Sequence, residues 1–343
     1  AWLGRVRLRQ LARRDWLTAL MLTMMGNLIY YFCLASAIQR TGAPVSTMII
    51  GTLPVVIPVF ANLLYSQRDG KLAWGKLAPA LICIGIGLAC VNIAELNHGL
   101  PDFDWARYTS GIVLALVSVV CWAWYALRNA RWLRENYPDC LFVGTSTSEG
   151  TSNSDPAYES AGDSNSFLKN VPLEVLLKGM QEKLDVYSYH YYNGVAERLR
   201  AMMPNSYWLP DRATSEDYLD VARSMIQYHT EKRDIYCPGG EIWVTESGDA
   251  GGGGTTWAST YLDVFRTLNE LGAFCTVTKG IIFHNTLASS DYGFLSHGSF
   301  DPRPNYFAVL LWHRLMGNTA YDTAEPIREG AHVYAHSRAD GKP

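Results

Sequence analysis

Residues 16–38, WLTALMLTMMGNLIYYFCLASAI, carry no charged side chain over 23 positions. In water such a run has no polar face to leave outside. As a helix rising 1.5 Å per residue it covers the ~30 Å hydrocarbon core of a bilayer. Residues 44–65, 74–93 and 109–127 repeat the pattern, with Lys76 near the edge of the third run, where its ammonium can reach the headgroups. Residues 1–137 are therefore expected to form a bundle of four transmembrane α-helices, with the lipid bilayer as its first partner.

Short connections that stay on the cytoplasmic side retain positive charge. Arg5, Arg7, Arg9, Arg13 and Arg14 precede the first run, Arg68, Lys71 and Lys76 follow the second, and Arg128, Arg131 and Arg134 follow the fourth. The alternate connections carry only Arg40 and Arg107. The expectation is a multi-pass membrane protein with its N-terminus and everything beyond residue 135 in the cytoplasm. The first run is too long for a signal-peptide core and has no small-residue cleavage site, so it is read as retained. Pro54 and Pro58, with Gly51, should kink the second helix, either for packing or to line a substrate path. Gly85 and Gly87 beside Ala89 suggest close helix approach in the third.

Beyond residue 137 the composition changes. Residues 138–167, centred on GTSTSEGTSNSDPAYESAGDSNS, hold too little apolar surface to order themselves and read as a polar linker. After it, strand-like stretches 186–192, 241–246 and 279–284 alternate with helix-like stretches 215–231, 256–271 and 306–316. This β-α order implies parallel strands with crossover helices, as in a (β/α) barrel or an open α/β sheet. Net charge of -3 and scattered basic residues argue against nucleic acid as a partner. Seven cysteines without a CxxC pair, four of them inside apolar runs, argue against a disulfide framework.

In a (β/α) barrel, reacting groups sit at the carboxyl ends of strands. Here those ends carry His190, Tyr191 and Tyr192, then Glu246, then His284 and Asn285. Glu246 precedes SGDAGGGG, whose glycines permit close backbone approach and present N–H donors to an anionic or polyhydroxylated ligand. Alone, such a Glu is weak evidence for catalysis, since a capping or surface carboxylate is the commoner use of it. Ser247, His190 and Asp249 suggest a serine triad only weakly, because no GxSxG elbow is present. His284 and His297 have no partners at metal-ligand spacing, so neither metal nor cofactor is expected. Trp257, Trp312 and Phe307 read as helix-to-sheet packing.

The runs DVYSYHYYNG at 185–194, IWVTESGDAGGGG at 242–254, Ser290-Asp291-Tyr292, and FDPRPNYFAVLLWHRLMG at 300–317 together resemble glycoside hydrolase family 79, the heparanase and β-glucuronidase family. The resemblance implies a retaining hydrolase with Glu246 as nucleophile. It also implies Gly251 and Gly252, helped by Tyr292, against a uronate carboxylate, and His190 and Tyr192 lining the sugar subsite. Its substrate would be a glucuronic-acid-containing glycoside or oligosaccharide. Retention needs a second carboxyl as acid/base, which in that family is a Glu following Asn on an earlier strand. The one Asn-Glu pair, Asn269-Glu270, falls in a predicted helix after the nucleophile.

Residues 10–135 resemble the middle helices of an EamA-type drug/metabolite transporter. The expected architecture is thus mixed: four transmembrane helices over residues 1–137, the linker 138–167, the last strands and helices of a partial (β/α)8 TIM barrel over 168–325, and the start of a truncated C-terminal β segment over 326–343. The leading functional expectation is a hydrolase half lacking its acid/base. The alternatives are a transporter fragment with a passenger domain, or a non-functional fusion.

Overall fold

A computed structural model describes residues 12–69, 71, 73–97, 104–137, 139–148, 173–180, 183–201, 203–277, 279–288, 290–323, 330–338 and 340. The chain divides into two units, residues 1–140 and 141–343.

The first unit is helical. It comprises α1 (Arg13–Thr23), a π-helical turn (Met24–Ile29), α2 (Tyr30–Thr41), α3 (Ala43–Ile50), α4 (Leu53–Asp69), α5 (Trp74–Asn97) and α6 (Trp105–Asn136). Among the described residues three helical stretches are long and apolar enough to cross a membrane: Arg13–Thr41, Ala43–Gln67 and Trp105–Leu133. In α5 the described apolar stretch is the shorter Leu81–Val91. A core of Ala37, Val45, Ile49, Tyr108, Ala115 and Val119 joins α2, α3 and α6. Asp104 caps α6 by accepting the Arg107 N–H at 2.9 Å, satisfying one of the orphan donors of a helix start.

The expected break in the second run falls at Gly51 and Thr52, just ahead of Pro54. Proline lacks an N–H and its ring crowds the carbonyl four residues back. The chain compensates through Gly51 N to Thr47 O at 2.8 Å and Thr52 Oγ1 to Ile49 O at 2.7 Å. Pro58 and Pro79 lie inside continuous helices. Close helix approach is found elsewhere than expected: among the described residues a Cβ at Gly85 would meet nothing within 4 Å, and at Gly87 only the Met48 Cε at 3.7 Å. Gly26 and Gly111 are the crowded ones, where a Cβ would fall 2.3 Å from the Tyr125 ring and 2.4 Å from Thr41 Cγ2. Small residues matter where a partner helix presents a bulky side chain, which the glycine's own sequence cannot reveal.

The second unit contains β1 (Val143–Thr147), α7 (Leu173–Gly179), β2 (Val186–Val195), α8 (Glu216–Tyr236), β3 (Glu241–Gly251), α9 (Tyr261–Cys275), β4 (Ile282–His284), α10 (Pro304–Leu315), β5 (Met316–Tyr321) and β6 (Ala335–Arg338). Strands β1 to β4 form one parallel sheet in chain order, and β5 pairs antiparallel with β6. The alternating pattern read from the sequence is thus an α/β unit with a parallel sheet.

Two differences stand out. Strand β1 lies inside the stretch expected to be linker: its small polar residues pair with β2 through backbone bonds, and Asp185 anchors its start by accepting the Phe142 N–H at 2.7 Å. Residues 149–167 of that stretch lie outside the described residues. Phe307, expected to pack, is 54% exposed on α10, whereas Trp257 is buried against Tyr218 and Ala213.

Successive strand side chains alternate between faces. On β2, Tyr187, Tyr189 and Tyr191 enter the core with Val221, Met225 and Ile226 of α8 and Phe274 of α9. That leaves Ser188, His190 and Tyr192 for the opposite face. Burying the three tyrosines and their aliphatic neighbours fixes the register, because a one-residue slip would exchange the two sets.

Candidate active site

The register between β2 and β3 shifts between Tyr189 and His190, with Tyr189 opposite Val244 and His190 opposite Glu246. Thr245 is the extra residue. Such bulges re-aim the side chains that follow, and here Glu246 comes level with His190 on the cavity side while Ser247 turns into the interior. Thr245 is held by its hydroxyl, which donates to Tyr189 O at 3.2 Å.

The Glu246 carboxylate is the centre of a compact polar network. Tyr192 Oη donates to Oε1 at 2.6 Å, and His190 Nδ1 lies 2.8 Å from Oε2. The Asn285 amide also donates to Oε1, to Tyr192 Oη at 2.8 Å and to Tyr292 Oη at 3.2 Å. A carboxylate held by three donors from two chain segments, β2 and the residue after β4, has little rotational freedom, which is the condition for pre-organised chemistry. Burial holds the Tyr192 phenol well above its ordinary range; the Asn285 bond pulls it down and the Glu246 carboxylate pushes it up. Burial also raises Tyr292. Both phenols therefore stay protonated and remain donors at neutral pH.

This network opens into a cavity of about 1070 Å³, whose lining includes His190, Tyr192, Glu246, Gly251, Gly252 and Tyr292. All six residues singled out from the sequence are brought to one cavity. One wall is the loop Gly251–Gly254, where Gly252, Gly253 and Gly254 have φ of 91°, 133° and 85°. L-residues with a side chain are strained there, so the run of glycines is a backbone requirement. The loop is tied down by Ala196 N to Gly251 O at 3.0 Å and Gly254 N to Ala250 O at 3.1 Å.

Asn285 was noted in the sequence only as the residue after a strand-end histidine. Its reach to Glu246 arises from tertiary folding of β4 against β3 and has no local signal. His284 faces away: its Nε2 lies 2.8 Å from Tyr292 O and its ring stacks on Phe294 at 3.9 Å. Burial, with Arg266 nearby, lowers it to about 4. The weak serine-triad alternative is not formed. Ser247 Oγ donates to the buried Glu270, and Asp249 accepts from Thr255. Asn269-Glu270, the lone Asn-Glu pair, lies in α9, where Glu270 is bonded to Arg266 at 2.5 Å. Among the described residues no group of His, Cys, Asp and Glu is placed to hold a metal ion.

Comparison with known proteins separates the two units. Residues 1–91 match the EamA-like transporter family. Over 139 residues the chain is 99% identical to the inner membrane protein YtfF of Escherichia coli (strain K12), a match covering 40% of this chain and 43% of that protein. The C-terminal part has distant homologues among heparanases and glucuronidases. It is 32% identical over 158 residues to heparanase-like protein 1 of Arabidopsis thaliana, covering 45% of this chain and 27% of that one. It is 29% identical over 160 residues to baicalin-β-D-glucuronidase of Scutellaria baicalensis, covering 45% and 28%. The chain thus spans less than half the length of each of these relatives.

Proposed function

We propose that the second unit is the carboxyl-terminal half of a retaining glycoside hydrolase barrel, with Glu246 as nucleophile toward a glucuronic-acid-containing glycoside. The observation that carries this reading is Glu246 itself: a carboxylate on β3, fixed by Tyr192, His190 and Asn285, lining the same cavity as the Gly251–Gly254 loop. The distant likeness to heparanases and a glucuronidase supports the substrate class.

The chemistry proposed for the half-site is attack by one Glu246 oxygen on the anomeric carbon as the leaving-group oxygen departs, giving a glycosyl-enzyme that water then hydrolyses. His190 and Tyr192 hold the carboxylate on that axis. Gly251 and Gly252, with Tyr292, receive the sugar carboxylate. No Asn-Glu pair precedes β2, so protonation of a poor leaving group is the step this chain lacks. The expected behaviour is slow release of a phenol from a fluorescent aryl glucuronide by the full chain, no release from alkyl glucuronides, and none from Glu246→Gln. Release unaffected by Glu246→Gln would overturn the assignment.

For the first unit the proposal is an EamA-type transporter fragment. In it α5 serves as the remaining span, giving four, and both bundle ends with the hydrolase unit are cytoplasmic. Protection of the C-terminal unit from protease added outside spheroplasts supports that orientation; its digestion contradicts it.

A second reading is favoured by a specific observation. The first unit is 99% identical to one bacterial protein, whereas the second is 32% and 29% identical to plant enzymes. Two units inherited together should show comparable divergence. We therefore infer that they have separate origins and meet near Cys140 and Leu141, where the contacts also divide, and that the chain is a non-functional fusion if the half-site proves inert. Long sequencing reads crossing these codons in frame would establish a natural fusion, and reads that never cross them would exclude one.

A further inference from the structure

Behind the sheet, on the face opposite the cavity, lies a buried charge cluster that the proposed chemistry does not use. Arg266 of α9 is 1% exposed and bonds Asp263 Oδ1 and Glu270 Oε2, each at 2.5 Å. Asp249, at the end of β3, belongs to the same interior. Its Oδ2 accepts the Thr255 N–H at 2.9 Å and the Thr255 hydroxyl at 2.7 Å. Asp249 and Thr255 flank the glycine loop, so this pair of bonds closes the loop at its base. Asp249 Oδ1 would lie 3.6 Å from a Cβ on Gly254, directly beneath the loop. Asp249 Oδ1 and Asp263 Oδ2 are both buried, with no hydrogen-bond partner among the described residues.

Three carboxyl groups, Asp249, Asp263 and Glu270, thus share one guanidinium. If all three ionised, two negative charges would be left uncompensated in a dry interior, a state that proteins relieve by holding a proton. Glu270 has Ser247 and Arg266 as donors, and Asp263 has Arg266. Asp249 has only Thr255, and its Oδ1 has no partner among the described residues, so Asp249 is the carboxyl that takes the proton. We propose that Asp249 is a positioning residue that locks the Gly251–Gly254 loop closed while it holds a proton, and lets the loop loosen when that proton is lost. The consequence for a carboxylate ligand rests on the function proposed above; the clasp itself does not.

Every group facing Asp249 bears on its charge. Asp263 and Arg266 approach from α9, the Tyr218 phenol from α8 and the Tyr292 phenol from beyond β4, while Glu270 and the His284 imidazole act on Asp263 and Arg266. Burial first, then Asp263, raise Asp249 from 3.8 to about 6, against the lowering effect of the Thr255 bonds and Arg266. An opened loop exposes Asp249 to water and returns it toward 3.8. The closed form therefore binds the proton more tightly. Closure is fully favoured below about pH 4 and weakens as pH rises toward 6, with the opening constant increasing about fiftyfold between pH 4 and pH 7. A bound carboxylate also meets one fewer negative charge behind the loop at acid pH.

The test is amide hydrogen exchange by mass spectrometry on the full chain in detergent, across pH 4 to 8, with intrinsic rates removed. The peptide read is the one spanning the glycine loop and Thr255. Wild type should lose protection about fiftyfold over this range, Asp249→Asn should be flat, and Asp263→Asn should respond less than about tenfold because the like charge is gone. A flat wild type, or a step that survives in Asp249→Asn, overturns the proposal. Aryl glucuronide release in the same preparations separates the two readings. A pH step without release leaves the clasp standing and removes the hydrolase reading, whereas release without a step does the reverse.

Discussion

Replacing Gly26 by Ala places a methyl carbon 2.3, 2.4 and 2.7 Å from Cγ, Cδ2 and Cδ1 of Tyr125. Carbon atoms pack at about 3.5 to 4.0 Å, so the ring would have to retreat by about 1.2 Å or more. It has little room, since Trp122 lies 5.4 Å from Tyr125 between ring centroids and is itself packed on Tyr30 at 4.9 Å. Overpacking of this kind costs about 1 to 3 kcal/mol. Gly85→Ala is the matched control: it makes the same chemical change in a helix with nothing within 4 Å among the described residues, so whatever Ala contributes by helix propensity appears in both. SDS titration of the full chain in mixed micelles, followed by tryptophan fluorescence, should show Gly26→Ala less stable than Gly85→Ala by about 1 to 3 kcal/mol. Equal midpoints would refute the reasoning that helix α6 seats directly on the π-helical turn.

The remaining expectations concern the second unit. His284, lowered to about 4 by burial, should titrate there by histidine-selective NMR. Because the unfolded chain binds that proton more readily, the anchoring of β4 should weaken as pH falls from about 6.5 to 4, and a midpoint near 6.5 would contradict it. Gly252→Ala, at φ 91° and 3.0 Å from Leu199 Cδ1, should speed amide exchange in the loop, at a cost of order 1 to 3 kcal/mol. Gly239→Ala, at φ 77° with open space around it, should leave the loop peptide unchanged; a loop response to both would show that the loop reports global stability instead. The separate segment 168–343 should show no cooperative melt, because it removes β1 and leaves the edge of β2 unpaired. A sharp transition would sink that expectation.

Long, strongly patterned elements were legible. The uncharged runs became helices because nothing in them can face water. The alternation of β and α stretches became a parallel sheet because crossover helices bury its faces. Ends were less legible. Strand β3 runs on to Gly251, five residues past the expected end at Glu246, since its backbone stays paired with β2 as far as Val195 and Ser247 is satisfied by Glu270, a neighbour distant along the chain. Strand β1 was hidden because Gly, Thr and Ser carry no periodic signal, and only pairing with β2 orders them.

At the site, the meeting of Glu246, His190 and Tyr192 at one cavity was readable because apolar strand stretches and a glycine run mark themselves, although both strands run on past these residues. Asn285 was not, since its role depends on how β4 meets β3. The buried Arg266 cluster was equally invisible: in sequence it reads as an ordinary helix of i,i+3 and i,i+4 pairs, and only burial turns it into a proton-holding interior.

The central claim is that Glu246 is a folded, competent nucleophile. The direct measurement is incubation of the detergent-solubilised full chain with an activated fluoroglycoside of glucuronic acid, followed by intact and peptide mass spectrometry. Fluoride leaves without help from an acid, so the missing carboxyl does not matter. A glucuronyl adduct on the peptide containing Glu246, absent in Glu246→Gln, is the predicted result. No adduct, or one that persists in Glu246→Gln, would contradict the account and leave the likeness to glucuronidases as ancestry without chemistry.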